Sequence, residues 1–259
     1  MSDILVAKRT PQIAIVTIDR PARRNACDLA AWRDLAAAFT ELGRDRTIRL
    51  VILTGAAGHF CAGADISEFA ALRADSATGA AYEHDVEACY AAIAALPQPS
   101  IAAVSGSCVG GGCALAMSCD FRIARGDARF GIPAAKLGAV YTIRECNLLI
   151  SLVGLANAKR ILYGGDLMDA AAAARIGLID ERVDGDPIEA AIAFAETMIG
   201  NAPLSIAGAK LVLQAIAQGT LDHSKPAIEA LIDRAFDSED SKEGGRAFLE
   251  KRRPNFSGR

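Results

Sequence analysis

Residues 100–113, SIAAVSGSCVGGGC, contain the pattern that decides the fold. The run SIAAV has the length and apolar content of a buried strand, and three glycines at 110–112 follow where a helix is expected to begin. A strand that leads through a glycine turn into a helix is a building unit of α/β domains. The same alternation of strands and helices is found on both sides of this stretch.

Upstream, two runs of strand length are rich in β-branched residues, at 12–19 (QIAIVTID) and 49–54 (RLVILT). The residues between them, 28–42, have apolar side chains at helical spacing. An alanine-rich helix is predicted over 79–96, which PQP at 97–99 would end, and a further strand over 121–124. This order predicts an α/β domain in which helices cover mostly parallel strands.

From residue 188 onward the sequence predicts helices only. The four candidates are 188–199, 204–217, 225–236 and 241–251. A wholly helical tail needs a surface to cover, either its own core or a neighbouring subunit. We therefore divide the chain into an α/β core at 1–187 and a helical oligomerisation region at 188–259.

Composition excludes several classes of protein. The chain has 259 residues, of which 52% are hydrophobic, and a formal net charge of −3. It can bury a large core, but it has no basic field to attract nucleic acid. No window approaches the roughly 20 apolar residues of a membrane span, and no targeting segment opens the sequence, so we expect a cytoplasmic protein. The seven cysteines and three histidines are scattered, which predicts free thiols and no metal site.

Two glycine-containing segments that each follow a strand invite a chemical interpretation. They are HFCAGADI at 59–66 and SGSCVGGGC at 105–113. Backbone N–H groups in such segments can face a cleft without side-chain bulk, as an oxyanion hole requires. The alternative is that both are tight turns whose glycines adopt positive φ. Neither segment has the spacing of a dinucleotide-binding or nucleotide-phosphate loop.

Taken in order, segments along nearly the whole chain resemble the enoyl-CoA hydratase/isomerase (crotonase) superfamily. They are DRPARRNA (19–26), FCAGADI (60–66), VGGGC (109–113), FGIP (130–133), LG (137–138), RIGLI (175–179) and FLEKRRP (248–254). The resemblance implies a ββα spiral core with a C-terminal α-helical trimerisation region. It also implies homotrimers or hexamers, an acyl-CoA thioester substrate, no cofactor besides the CoA that is part of this substrate, and a lyase or isomerase of fatty acid metabolism.

The resemblance also implies roles for individual positions. The backbone N–H groups of Ala64 and Gly111 correspond to the pair that polarises the thioester carbonyl. Candidates for contacts with CoA are Ala62, Asp65, Ile66, Phe248 and three cations, Arg23, Arg24 and Lys251. The arginine pair has the alternative interpretation of a solvated loop, and Asp65 that of a residue that holds its own loop.

The sequence departs from the family at the positions of the two hydratase glutamates. Where hydratases continue the glycine run with a glutamate, this chain has Ala114, and the residue after FGIP is Ala134. A methyl group cannot hold or move a proton. We therefore expect no ordinary hydration by two glutamates.

Other groups near the acyl end must then perform the chemistry. Tyr141 falls where methylmalonyl-CoA decarboxylases of the superfamily have a tyrosine, and Glu145 lies in the same segment. Tyr141 is alternatively an amphipathic residue of the pocket wall, and Glu145 a first-turn carboxylate of a helix over 142–153. The segments 66–82 and 140–149 are expected to form the walls of the acyl pocket.

Three functions remain open on the sequence. The favoured one is an enzyme that stabilises the enolate of an acyl-CoA thioester and performs decarboxylation, isomerisation or hydrolysis. The second is an acyl-CoA binding protein without catalysis. The third is a structural subunit that assembles with an active paralogue.

Overall fold

The computed structural model describes residues 2–68 and 75–259. Residues 69–74, which fall within the predicted pocket wall at 66–82, lie outside the described residues. In chain order the strands are β1 (Ile4–Thr10), β2 (Ile13–Ile18), β3 (Leu50–Gly55), β4 (Ser100–Val104), β5 (Ser107–Val109), β6 (Phe121–Arg125), β7 (Arg129–Gly131), β8 (Met168–Asp169) and β9 (Glu181–Val183).

The strands of the described chain form a six-stranded sheet in the order β1-β2-β3-β4-β6-β9 and a three-stranded sheet in the order β5-β7-β8. In the large sheet β1 pairs with β2 antiparallel, and the other neighbours are parallel. The predicted α/β class with mostly parallel strands is confirmed.

Helices alternate with these strands and then continue alone. They are α1 (Leu29–Arg44), α2 (Ser76–Ala94), α3 (Gly111–Ser118), α4 (Ile143–Gly164), α5 (Ala170–Arg175), α6 (Pro187–Ile199), α7 (Pro203–Gln218), α8 (Leu221–Asp237) and α9 (Glu239–Leu249). α4 is interrupted at Gly154, whose φ of 73° is not helical. The predicted helix over 142–153 is therefore only the first part of α4.

Both faces of the central strands of the large sheet, β3 and β4, are buried, as parallel strands require. Along β2, β3 and β4, alternate residues point to opposite faces because side chains of a strand alternate. One face, which includes Val16, Leu53 and Val104, packs in the main core with Trp32 and Leu35 of α1. The other face is covered by α6 and consists of Ile13, Leu50, Ile52, Ile101, Ala103 and Ile123, with Ala191 and Ala195 from the helix.

The predicted helical tail therefore begins with a helix that belongs to the sheet. α6 contacts β3, β4 and β6, whereas α7 and α8 pack mainly on each other. Large apolar side chains of α7 and α8, such as Leu213 and Phe236, remain exposed. Such exposed apolar surface is compatible with an interface between subunits. The division at residue 187 and the trimer remain predictions.

The seven cysteines are free, as predicted, and six of them are buried. Within the described ranges, no group of three His, Cys, Asp or Glu side chains could hold a metal ion. No single helix of the described chain is long and apolar enough to cross a membrane, and only α6 with α7, a pair bent by 106°, passes that test by length and composition.

Candidate active site

Two loops meet beyond the carboxyl ends of β3 and β4. The loop after β3 pairs through Cys61 with Cys108 of β5. Gly63 in this loop has a φ of 100°, and a β-carbon there would lie 2.7 Å from the Val109 carbonyl oxygen and 3.3 Å from the Gly111 nitrogen. Only glycine permits both the backbone conformation and the close approach.

Ala64 of one loop and Gly111 of the other line one cleft of about 290 Å³. Cys27 donates its N–H to the Gly63 oxygen, and its own oxygen accepts from the Asp65 N–H. The intervening Ala64 N–H has no acceptor among the described residues, nor has that of Gly111, the first residue of α3. Buried or partly buried N–H groups are normally hydrogen-bonded. Two unpaired N–H groups at one cleft can therefore donate to the oxygen of an anionic ligand.

Aromatic side chains from α1 and α2 form one wall of the cleft. Trp32 Nε1 donates to Tyr82 Oη at 3.0 Å, and the Trp32 and Tyr90 rings meet edge to face with centroids 5.7 Å apart. Tyr90 Oη donates to the Gly111 oxygen at 3.4 Å. A β-carbon at Gly111 would lie 3.1 Å from both Trp32 and Tyr90. This wall therefore holds the glycine turn in place.

Tyr141, a candidate from the sequence, also lines the cleft. Its hydroxyl donates to the Gly110 carbonyl oxygen at 2.6 Å. Burial raises the pKa of Tyr141 well above its usual range, because the phenolate would be poorly solvated. The phenol therefore keeps its proton at neutral pH and uses it to hold the glycine turn.

Glu145 lies in the first turn of α4, as the alternative interpretation of the sequence expects. It forms a capping box there, in which its Oε2 accepts from the Thr142 N–H at 2.8 Å. Glu145 also lines the cleft, although it is only 6% exposed, and a role in catalysis stays a prediction. Burial raises the pKa of Glu145, and the nearby charge of Glu83 raises it further, against the hydrogen bonds from Thr142.

The sequence did not single out Glu83, which lines the same cleft from α2. A glutamate in an alanine-rich helix has no distinguishing pattern, and only the packing of α2 against α1 shows which face meets the cleft. The cleft thus holds two carboxyl groups, Glu83 and Glu145.

The two alanines at the expected glutamate positions have different surroundings. Ala134 lines the cleft, in the short 3-10 helix Pro133–Leu137. Ala114 is fully buried in α3 and is not on the cleft surface. A carboxyl group at 114 would therefore enter a packed region.

Of the candidates for CoA binding, Ala62 and Ile66 line the cleft. Arg24 lies beside it, because its carbonyl oxygen accepts from the Ala62 N–H at 3.0 Å. The exposed Phe248 and Lys251 do not line the cleft of their own chain.

Asp65 uses its carboxylate to hold its own loop. Oδ1 accepts from the N–H and the hydroxyl of Ser67, and Oδ2 pairs with Arg20. Arg20 also pairs with Asp3 and Asp28, so one guanidinium ties the loop to the start of α1. Arg20 was not predicted from the sequence, where it is one of several arginines in a polar segment.

Comparison with known proteins shows the family of this chain. Residues 8–259 match the family described as enoyl-CoA hydratase/isomerase. The chain belongs to this family.

Members of the family align with this chain over its whole length. A probable enoyl-CoA hydratase of Mycobacterium bovis is 36% identical over 99% of both chains. The 2,3-dehydroadipyl-CoA hydratase of Escherichia coli is 32% identical over 100% of both. A crystal structure of a family protein from Hyphomonas neptunium superposes with a TM-score of 0.92 at 34% identity, covering 99% of this chain and 98% of that one. The expected crotonase-like fold is thereby confirmed.

Proposed function

We propose that this family member processes an acyl-CoA thioester in the cleft between the two glycine loops. The named relatives are hydratases of CoA thioesters, which supports this class of substrate. The thioester carbonyl oxygen would accept hydrogen bonds from the N–H groups of Ala64 and Gly111. CoA would enter as part of the substrate, with no further cofactor.

The chemistry at the two N–H groups follows from charge. Removal of a proton from the carbon next to a thioester, or addition of water to its enoyl form, places negative charge on the carbonyl oxygen. Two oriented amides that are already free of other partners stabilise this charge by several kcal/mol, since no donor has to break another bond first.

Glu145 is the proposed proton-transfer group. The observation that carries this proposal is a buried carboxyl in the same cleft as the free Ala64 and Gly111 amides, with a raised pKa. A raised pKa brings a carboxyl closer to the working pH, where a group both accepts and releases a proton efficiently. Tyr141 would act as a positioning residue through its bond to Gly110.

The first candidate reaction is a double-bond shift in an enoyl-CoA. One carboxyl that removes a proton at one carbon and returns it at another is sufficient for this reaction, and Glu145 supplies one. The alanines at 114 and 134 favour a reaction that needs no pair of glutamates at those positions.

Hydration of an enoyl-CoA is the second candidate. It is favoured by the names of the relatives and by Glu83, a second carboxyl group at the cleft. In this case Glu83 and Glu145 would replace the family's pair from other positions of the fold.

Arg23 and Arg24 are the proposed partners of the CoA phosphates, because Arg24 adjoins Ala62 at the cleft. A role for Phe248 and Lys251 requires a neighbouring copy of the chain, since they do not line the cleft of their own. The proposed assembly is therefore a homotrimer or a dimer of trimers.

The test supplies the protein with a 2-enoyl-CoA and a 3-enoyl-CoA and follows the conjugated thioester by its absorbance. Loss of the conjugated enoyl signal with addition of water indicates hydration, and its appearance from the 3-enoyl substrate indicates isomerisation. Glu145→Gln should abolish the turnover, whereas Glu189→Gln, which changes an exposed first-turn glutamate of α6, should not. Tight binding without any turnover would instead identify a non-catalytic binding protein.

A further inference from the structure

A second cavity of about 510 Å³ lies at the other end of the large sheet. Arg49 and Pro99, which line it, directly precede β3 and β4, whereas the cleft lies beyond the carboxyl ends of those strands. The turn between α6 and α7 and part of α8 complete its walls. This cavity shares no lining residue with the proposed active site.

The cavity is strongly basic. Four arginines line it, Arg44, Arg46, Arg49 and Arg234, and no Asp or Glu of the described residues does. None of the four forms an ion pair within the described ranges, although ion pairs are frequent elsewhere on the chain. Like charges gathered around one space repel each other, so an anion in that space is stabilised by all four.

Two residues of the cavity wall, Arg49 and Gln98, are held in fixed positions. The Gln98 amide nitrogen donates to the carbonyl oxygens of Leu42 and Asp45, and Arg49 Nη2 donates to the Phe256 oxygen at 2.9 Å. Arg49 Nη1 and Gln98 Oε1 are enclosed by the protein and have no hydrogen-bond partner within the described part of the chain. The positive charge of Arg49 is therefore held beside the cavity without a counter-ion from that part of the chain.

The first turn of α7 also lines the cavity. Its N-cap residue is Ala202, whose methyl side chain cannot accept a hydrogen bond from the N–H groups of this turn. The positive end of a helix dipole with unpaired N–H groups attracts phosphate. The helix terminus therefore adds to the arginines at the same place.

We propose that this cavity binds a phosphate monoester with an apolar body. The guanidinium groups and the N–H groups of the helix terminus would donate hydrogen bonds to the phosphate oxygens. Apolar side chains in the wall, among them Pro97, Ile199 and Leu231, would contact an apolar body such as a purine ring. The size of the cavity lies within the range of small-molecule sites.

The test measures binding of adenosine monophosphate by calorimetry to the full-length protein. This probe combines a phosphate and an apolar ring. The variant Arg46→Gln/Arg234→Gln removes two exposed charges and should weaken binding by roughly tenfold for each guanidinium. The control Arg160→Gln/Arg175→Gln removes two exposed arginines that line no part of the cavity, and should bind as the wild type does.

A further arm distinguishes the ligand chemistry. Glutarate, a dicarboxylate, should bind more weakly than the nucleotide. The proposal is overturned if the wild type does not bind the nucleotide, if Arg46→Gln/Arg234→Gln binds it as tightly as Arg160→Gln/Arg175→Gln does, or if glutarate binds as tightly as the nucleotide. These outcomes do not depend on turnover at the cleft.

Discussion

Gly63 and Gly111 approach so closely that a β-carbon at Gly63 would lie 3.3 Å from the Gly111 nitrogen. This contact joins the loop after β3 to the start of α3, and thereby brings Ala64 and Gly111 to one cleft. Because the two amides belong to segments far apart in the sequence, their relative position depends on this contact.

Gly63→Ala should therefore disturb the cleft and destabilise the protein. The alanine would have to adopt a φ of 100° and would contact the Val109 oxygen at 2.7 Å. We expect a loss of about 3 kcal/mol in the free energy of unfolding and a large loss of turnover. Gly138→Ala is the control, since Gly138 also has positive φ but faces open space, and should cost about 1 kcal/mol. Equal losses from both variants in denaturant unfolding would contradict the packing argument.

Tyr141→Phe should loosen the glycine turn without emptying the wall. It removes the hydroxyl that donates to the Gly110 oxygen at 2.6 Å and leaves that oxygen without this donor. We expect a loss of about 1–3 kcal/mol in stability and a roughly tenfold lower kcat, with KM little changed. Tyr163→Phe, at a tyrosine that is 74% exposed, should change neither quantity. A rise in KM with kcat unchanged would assign Tyr141 to substrate binding instead.

The fold was predictable where the sequence pattern and the burial coincide. β4 has the predicted bounds, because an apolar run between prolines and a glycine turn is buried along its whole length. β1 was missed because six of its seven residues are exposed, and it is held mainly by antiparallel pairing with β2. β5, β7 and β8 have two or three residues each, which is too short for a periodic pattern.

The site was predictable in its backbone and less so in its side chains. The segments that contain Ala64 and Gly111 can be recognised in the sequence, because glycine marks positions that need a positive φ or a close approach of the backbone. Trp32 and Tyr90 were not identified, since aromatic residues at helical spacing are typical of any core. Glu83 was not identified because a glutamate in an alanine-rich helix has no distinguishing pattern. Which face of α1 and α2 meets the cleft is decided by tertiary packing between these helices.

Glu145 should make stability depend on pH in a defined direction. Since burial raises its pKa, the folded protein retains the proton over a pH range in which the unfolded chain has already lost it. The free energy of unfolding therefore falls as pH rises from the ordinary carboxyl pKa to the pKa of Glu145 in the folded protein. Above that pH, the contribution of Glu145 to the free energy of unfolding no longer changes.

Glu145→Gln lacks this titration but keeps the capping box, as glutamine can also accept from Thr142. The stability of the wild type relative to this variant should therefore decline as pH rises above the ordinary carboxyl pKa of about 4. Chemical denaturation at several pH values measures it. A difference that is flat or increases with pH would show that Glu145 does not titrate above its ordinary range.

Glutamates introduced at the two alanines should reduce stability to very different extents. Ala114→Glu places a carboxyl in a fully buried position and should cost more than about 3 kcal/mol. Ala134→Glu places it on the cleft wall and should cost about 1 kcal/mol or less. Thermal unfolding compares the two. Tolerance of Ala114→Glu would mean that this position can reach the cleft after all.

Exchange of the proton next to the thioester carbonyl tests the central claim most directly. A saturated short acyl-CoA is incubated with the protein in deuterium oxide, and deuterium at the α-carbon is followed by mass spectrometry. The wild type should incorporate deuterium, and Glu145→Gln should do so at least about a hundredfold more slowly while it binds the thioester equally well. Binding by the wild type without exchange, or equal exchange by both proteins, would contradict the assignment of enolate stabilisation to this cleft and of proton transfer to Glu145.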